Sequence, residues 1–249
     1  MTGISFEDAD GNSCSNLFGG KNSMEENNYC VLIGDIIKSR KYSNRNEIQK
    51  KLNAILSETN KKYSDDLAAE FIITLGDEFQ GVLNKPDRIF QIIDNIRFSM
   101  RPVKIRVGIG IGKITTEIDR SKAISADGPA YYAAREMIDD IRKKEKGWKS
   151  LSQDIKISLG TDNLEIDLIN ANLGLTSLLE SSWTKKQFEA VRLLLYSDSL
   201  QKEAAQKIGI TESSMHYRLK SAHYFDYKHS RELISKYLIH LWEEKCSPN

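Results

Sequence analysis

The sequence predicts an α+β fold: a sheet unit built on a split βαβ pattern, followed by an all-helical C-terminal part. Three features lead there. Short apolar or alternating runs recur at Tyr29 to Ile36, Phe71 to Leu75, Phe79 to Leu83, Val103 to Gly112 and Ile155 to Leu159. Segments with apolar residues at helical spacing lie between them, and beyond residue 162 only the helical spacing remains.

The first run, Tyr29 to Ile36, ends in a polar turn carrying Lys38, Ser39 and Arg40. Ile48, Leu52, Ile55 and Leu56 then mark one face of a helix over about Arg45 to Tyr63. The runs on either side of Gly76-Asp77-Glu78 read as a hairpin with a tight acidic turn. Pro86 suits the first turn of a helix carrying Ile89, Phe90, Ile92, Ile93 and Ile96, and Pro102 stops it. The next strand contains Gly108, Gly110 and Gly112, which let another backbone or a ligand come close. Strand, helix, strand, strand, helix, strand is the ferredoxin-like βαββαβ order, expected as an antiparallel sheet with helices on one face. A further helix follows Asp127-Gly128-Pro129, with Gly147 as its terminator, and Ile155 to Leu159 adds an edge strand. The domain boundary is expected near residues 160–162, dividing a sheet domain over 29–161 from a helical domain over 162–249. Residues 1–28, without apolar periodicity, read as a disordered tail. Within them Gly19 to Ser23 lacks the strand and helix that a phosphate loop needs.

Totals exclude several classes. With 36 Lys and Arg against 35 Asp and Glu, the net charge is +1, so any surface that attracts nucleic acid must be local. Cys14, Cys30 and Cys246 are too few and too scattered for a disulfide framework or a zinc site, as expected for a reducing cytoplasm. No apolar stretch approaches the roughly 18 residues that span a bilayer, and no secretory signal opens the chain. The expectation is a cytoplasmic protein with no membrane segment.

Chemistry concentrates in carboxylates. Asp35 ends one apolar run and Asp77 stands in the hairpin turn, so both fall at strand ends, where sheet proteins hold ligands. All four histidines (His216, His223, His229, His240) lie in the C-terminal part. Carboxylates without His or Cys favour a hard cation, Mg²⁺ or Mn²⁺, with phosphates completing its coordination. The alternative is that Asp77 and Glu78 simply form a polar turn.

These segments together resemble the catalytic domain of class III nucleotide cyclases and the related GGDEF diguanylate cyclases. Leu32 to Ile37 is similar to the first metal-aspartate segment, and Leu75-Gly76-Asp77-Glu78-Phe79 to the second metal turn. Val103 to Gly112 resembles the strand with Arg-x-Gly-Ile, here Arg106, Gly108 and Ile109. Gly128 to Arg135 resembles the helix carrying the transition-state arginine. Over its full length the chain looks most like the SatD family, a cyclase-like palm domain followed by a helical tail. The resemblance implies Asp35, Asp77 and the Ile36 carbonyl as metal ligands, and Arg135 and Tyr131 at the catalytic positions. Lys38, Arg40, Gly76, Glu78 and Arg106 fall at nucleotide-binding positions, and a homodimer with shared sites is implied. Tyr131 replaces the family's asparagine, and no lysine stands near Ile73 where the purine-selecting one would fall. Lys38 and Arg40 read equally as a solvated loop, and Arg135 as a partner for Glu136, Asp139 or Asp140.

Residues 185–224 resemble the helix-turn-helix of bacterial sigma factors and response regulators. Ser213, Ser214, His216, Tyr217, Arg218 and Lys220 would face duplex DNA from the third helix. The alternative for this part is a small helical bundle that binds protein or caps a dimer. The expected function is attack of a ribose hydroxyl on the α-phosphate of a nucleoside triphosphate, with Mg²⁺ or Mn²⁺. The rival is a catalytically inactive regulator that senses a nucleoside triphosphate or cyclic nucleotide and binds DNA. A third reading is a structural protein that uses the sheet only for assembly.

Overall fold

The computed structural model describes residues 28–120, 127–145 and 153–246. The tail expected over residues 1–28, apart from Asn28, lies outside the described residues, as do Gly147 and Trp148. The first six elements are β1 (Asn28–Ile36), α1 (Arg45–Lys62), β2 (Leu67–Leu75), β3 (Glu78–Leu83), α2 (Ile89–Met100) and β4 (Ile105–Lys113). Helix α3 (Pro129–Glu145) and β5 (Ile155–Ser158) follow. The five strands form one sheet in the order β2-β3-β1-β4-β5.

The sheet is mixed: β1 to β4 pair antiparallel, and only the added edge strand β5 departs from that. Strand β1 pairs antiparallel with both β3 and β4, while β5 lies parallel to β4. A parallel neighbour needs a crossover, which α3 supplies. Helices α1 and α2 pack on one face, and the crossover puts α3 on the other. Leu32, Ile36, Val107 and Ile109 face the core built with α1 and α2. Val31 and Ile33 face Ala130, Tyr131, Ala134 and Ile138 of α3. With both faces covered, β1 reads as a near-continuous apolar run, Cys30 to Ile33 being at most 1% exposed.

The glycines of β4 set how closely α3 lies. A Cβ on Gly110 would overlap the Ala130 carbonyl oxygen, and one on Gly108 the Ala134 carbonyl oxygen. At Gly112 the nearest α3 atom would be 3.8 Å away, an ordinary contact. Gly108 and Gly110 thus admit a second backbone, one of the two uses open to them in the sequence.

The helical part comprises α4 (Leu164–Ser182), α5 (Lys185–Leu194), α6 (Gln201–Lys207), α7 (Glu212–Ser221) and α8 (Tyr224–Cys246). Ile166 and Leu173 of α4 and Ile234 and Leu238 of α8 enter the same core as the sheet. The Asn170 side chain gives and takes 2.8 Å hydrogen bonds with the Ile157 backbone, satisfying the open edge of β5. Helices α5, α6 and α7 close a second core around Val191, Ala204, Ala205, Met215 and Leu219. Thr184 and Gln187 form a capping box at the start of α5, and Thr211 caps α7. Helix α8 begins at Tyr224, because the chain turns at His223, whose φ is 52°, and resumes helix at once.

Candidate functional site

Pairing of β1 with its neighbours sets three charged residues side by side. Glu78 on β3, Asp35 on β1 and Arg106 on β4 are cross-strand partners in one row. Paired residues share a face, and this one faces α3. Arg106 Nε lies 2.6 Å from Asp35 Oδ1. From α3, Arg142 donates its Nε to Asp35 Oδ2 at 2.9 Å, and its Nη2 contacts the same oxygen. Arg135 donates to both oxygens of Glu78, at 2.5 and 2.7 Å. The Asp35 side chain is 5% exposed and that of Glu78 11%, so both carboxylates depend on these guanidinium groups.

Electrostatics follow from the pairing. The bond to Glu78 is the largest cause raising Arg135 above its ordinary pKa. Burial pulls Arg142 down, but its hydrogen bond and charge interaction with Asp35 outweigh that and raise it. Both remain cations at any working pH. Tyr131, on the inner face of α3, is 8% exposed, and burial pushes its hydroxyl up to about 12.

Asp77 sits apart from this row. It lines a cleft of about 160 Å³ with Ser39, Arg45, Asn46 and Gly76, and Asp35 is not among the lining residues. The two turns still meet through the backbone, the Ile36 N–H donating to the Asp77 carbonyl at 3.2 Å. Gly76 turns the hairpin with φ 62°, and the Gln49 side chain holds its carbonyl at 2.8 Å. Lys38 is left-handed, with φ 57°, and both it and Arg40 are exposed beside the cleft residue Ser39.

An ion at Asp35 does not fit this arrangement, because guanidinium groups engage both of its oxygens. Among the described residues no group of three His, Cys, Asp or Glu side chains could hold a metal. Nothing in the sequence singles out Arg142, which stands among lysines at the end of a charged helix. Nor was a second buried network flagged, in which Arg97 contacts Asp94, Asp154 and Glu180 at 3.1 to 3.2 Å. Two charged residues inside the apolar stripe of α2 were the available signal.

On the helical part, Ser213, Ser214, His216, Tyr217 and Lys220 are exposed along α7. Arg218 is half-buried and lies 3.6 Å from Glu189 of α5. Among the described residues, no helix is long and apolar enough to cross a membrane.

The profile of the SatD family matches residues 29–238. The chain belongs to the SatD family. The match takes in the sheet, the charged row and the three-helix core of this SatD-family chain. No curated protein matches. Solved structures similar to it include a bacterial light-regulated adenylyl cyclase, 15% identical over 54% of this chain and 44% of that one, with a TM-score of 0.39. A second is the monomeric guanylyl cyclase domain of the RhoGC fusion protein from Blastocladiella emersonii, 17% identical over 45% of this chain and 74% of that one, TM-score 0.35. A third is the guanylate cyclase domain of RhGC from Catenaria anguillulae in complex with GTP, 17% identical over 45% and 72%, TM-score 0.35. The SatD-family chain spans less than half the length of the adenylyl cyclase.

Proposed function

We propose that this protein is a regulator whose sheet unit, a ferredoxin-like cyclase palm, binds a nucleoside triphosphate or cyclic nucleotide without turning it over. The observation that carries this reading is the closure of Asp35 by Arg106 and Arg142. Two guanidinium groups supply at that carboxylate the positive charge that a divalent ion would bring. Nucleotide phosphates would lie instead at the cleft lined by Ser39, Arg45, Asn46, Gly76 and Asp77, where Arg45 and the exposed neighbours of Ser39, Lys38 and Arg40, set three cations against the one acid. Arg45 opens an 18-residue helix, so the helix dipole favours an anion at the same place. In a homodimer, Arg135, 42% exposed, would be the group that a second copy could draw away from Glu78.

The test is titration with each nucleoside triphosphate and cyclic nucleotide in EDTA and in Mn²⁺, read by thermal shift and by pyrophosphate release. A shift that persists in EDTA, lost in Arg45→Ala, with no pyrophosphate, is expected. Pyrophosphate release that disappears in Asp77→Ala overturns the reading in favour of a working cyclase.

For the helical part we propose a helix-turn-helix, with α7 entering the major groove of duplex DNA. Its support is the exposed row Ser213, Ser214, His216, Tyr217 and Lys220 on a capped helix. Fluorescence anisotropy with duplex DNA at low salt is expected to show binding that weakens in Lys220→Ala and with added salt. Absence of binding at low salt leaves α7 as a protein-contact helix.

A further inference from the structure

A cavity of about 480 Å³ lies where the α2–β4 turn meets the end of α4 and the start of α5. Its volume falls in the range of small-molecule sites. Val103, Ile105 and Trp183, each at most 7% exposed, and the half-buried Phe188 give it apolar walls. Arg97, Arg101, Asp154 and Glu180 line its polar side.

Charge within that polar side is balanced. Arg97, Arg101 and Arg231 are matched by Asp94, Asp154 and Glu180, all at 3.6 Å or less in one connected network. Lys104 and Lys185 also line the cavity, are exposed, and make no ion pair among the described residues. They are the surplus charge at its mouth. Arg97, 5% exposed, keeps its Nε without a hydrogen-bond partner among the described residues. Arg101 lies over the Phe188 ring, Cζ 3.9 Å from its centroid, leaving an aromatic and cationic surface at the rim.

We propose that this cavity binds a small aromatic acid, a flat apolar body bearing one anionic group. The body lies against Val103, Ile105, Trp183 and Phe188, and the anion meets Lys104 and Lys185. Because Lys104 precedes β4 and Lys185 opens α5, one ligand bridges the sheet unit and the helical part. The cavity shares no lining residue with the Asp77 cleft, so this inference stands or falls apart from the nucleotide reading.

The experiment titrates the full chain with 1-anilinonaphthalene-8-sulfonate and with its neutral relative N-phenyl-1-naphthylamine, following fluorescence. One saturable sulfonate site per chain is expected. The Lys104→Ala/Lys185→Ala protein should bind the sulfonate about tenfold more weakly, from two partly exposed charge contacts, with the neutral probe unaffected. Ser181→Trp, at an exposed position on the cavity wall, should exclude both probes. Sulfonate affinity unchanged in the double-lysine variant, sulfonate binding that persists in Ser181→Trp, or no saturable site, overturns the assignment; unchanged melting of the variants shows that they fold.

Discussion

Arg142 and Asp35, 107 positions apart in the chain, are joined by a 2.9 Å hydrogen bond that fixes α3 over the end of the central strand. Arg106 reaches the other oxygen of the same carboxylate, so removing the acid takes a shared partner from two cations, one of them 9% exposed and the other left with Asp139 at 3.1 Å. Asp35→Ala is therefore expected to destabilise the protein by about 3 kcal/mol or more, the range for breaking a buried ion pair from one side. Urea unfolding measures it. A loss under about 1 kcal/mol would mean that the carboxylate does not hold α3 in place.

The same bond decides metal binding. In Arg142→Gln, Asp35 Oδ2 loses its charged donors while Arg106 stays on Oδ1, and a divalent ion gains an open anionic oxygen. Thermal shift with Mn²⁺ is expected to appear or grow in this variant relative to the native protein. Equal shifts in both would show that Arg142 does not compete with the ion.

The strands and helices before residue 113 were legible because apolar period and turn residues agreed there. α1 begins at the expected Arg45, and α2 stops before Pro102. β2 begins at Leu67, four residues before Phe71: Ala68, Ala69 and Glu70 carry little strand preference, but Leu67 and Ala69 pair with Leu83 and Val82 of β3, and the Glu70 N–H donates to the Arg120 carbonyl at 2.9 Å. The position of α3 was not legible. Its inner stripe is Ala130, Ala134 and Ile138, small residues that signal close approach only once Gly108 and Gly110 are known to lie opposite. The row Glu78, Asp35, Arg106 depends on strand register, which no local pattern states. Asp35 and Asp77 are both visible as strand-end acids, but that Asp35 joins the row facing α3 while Asp77 lines a cleft beside α1 follows from register and turn geometry.

Close approach of α3 to β4 gives a graded test with one chemical change. Gly110→Ala places a methyl group inside the Ala130 carbonyl contact, and backbone cannot swing aside as a side chain can. A loss of about 3 kcal/mol is expected, the upper part of the range for overpacked cores. Gly112→Ala, with 3.8 Å to the nearest α3 atom, is expected to stay within about 0.5 kcal/mol of native or gain slightly. Equal melting of the two variants would place the tight contact elsewhere.

Glu180 ties α4 to α2 through Arg97 at 3.2 Å and Arg101 at 2.8 Å. Burial pushes its carboxyl up, yet the charge of Arg97, with Arg101 and Arg231, outweighs burial and holds it below the ordinary range. A depressed folded pKa contributes stability that is fully present above the unfolded value of about 4.3 and is lost as pH falls through the folded value. The native protein should therefore lose stability on acidification below about pH 5. Glu180→Gln, which removes the buried charge and leaves Arg97 with Asp94 and Asp154, is expected to be less stable at pH 7 and to lose less between pH 5 and pH 3. Parallel stability curves for the two proteins over that interval would mean that Glu180 titrates alike in the folded and unfolded chains, and that Arg97 gains nothing from its charge.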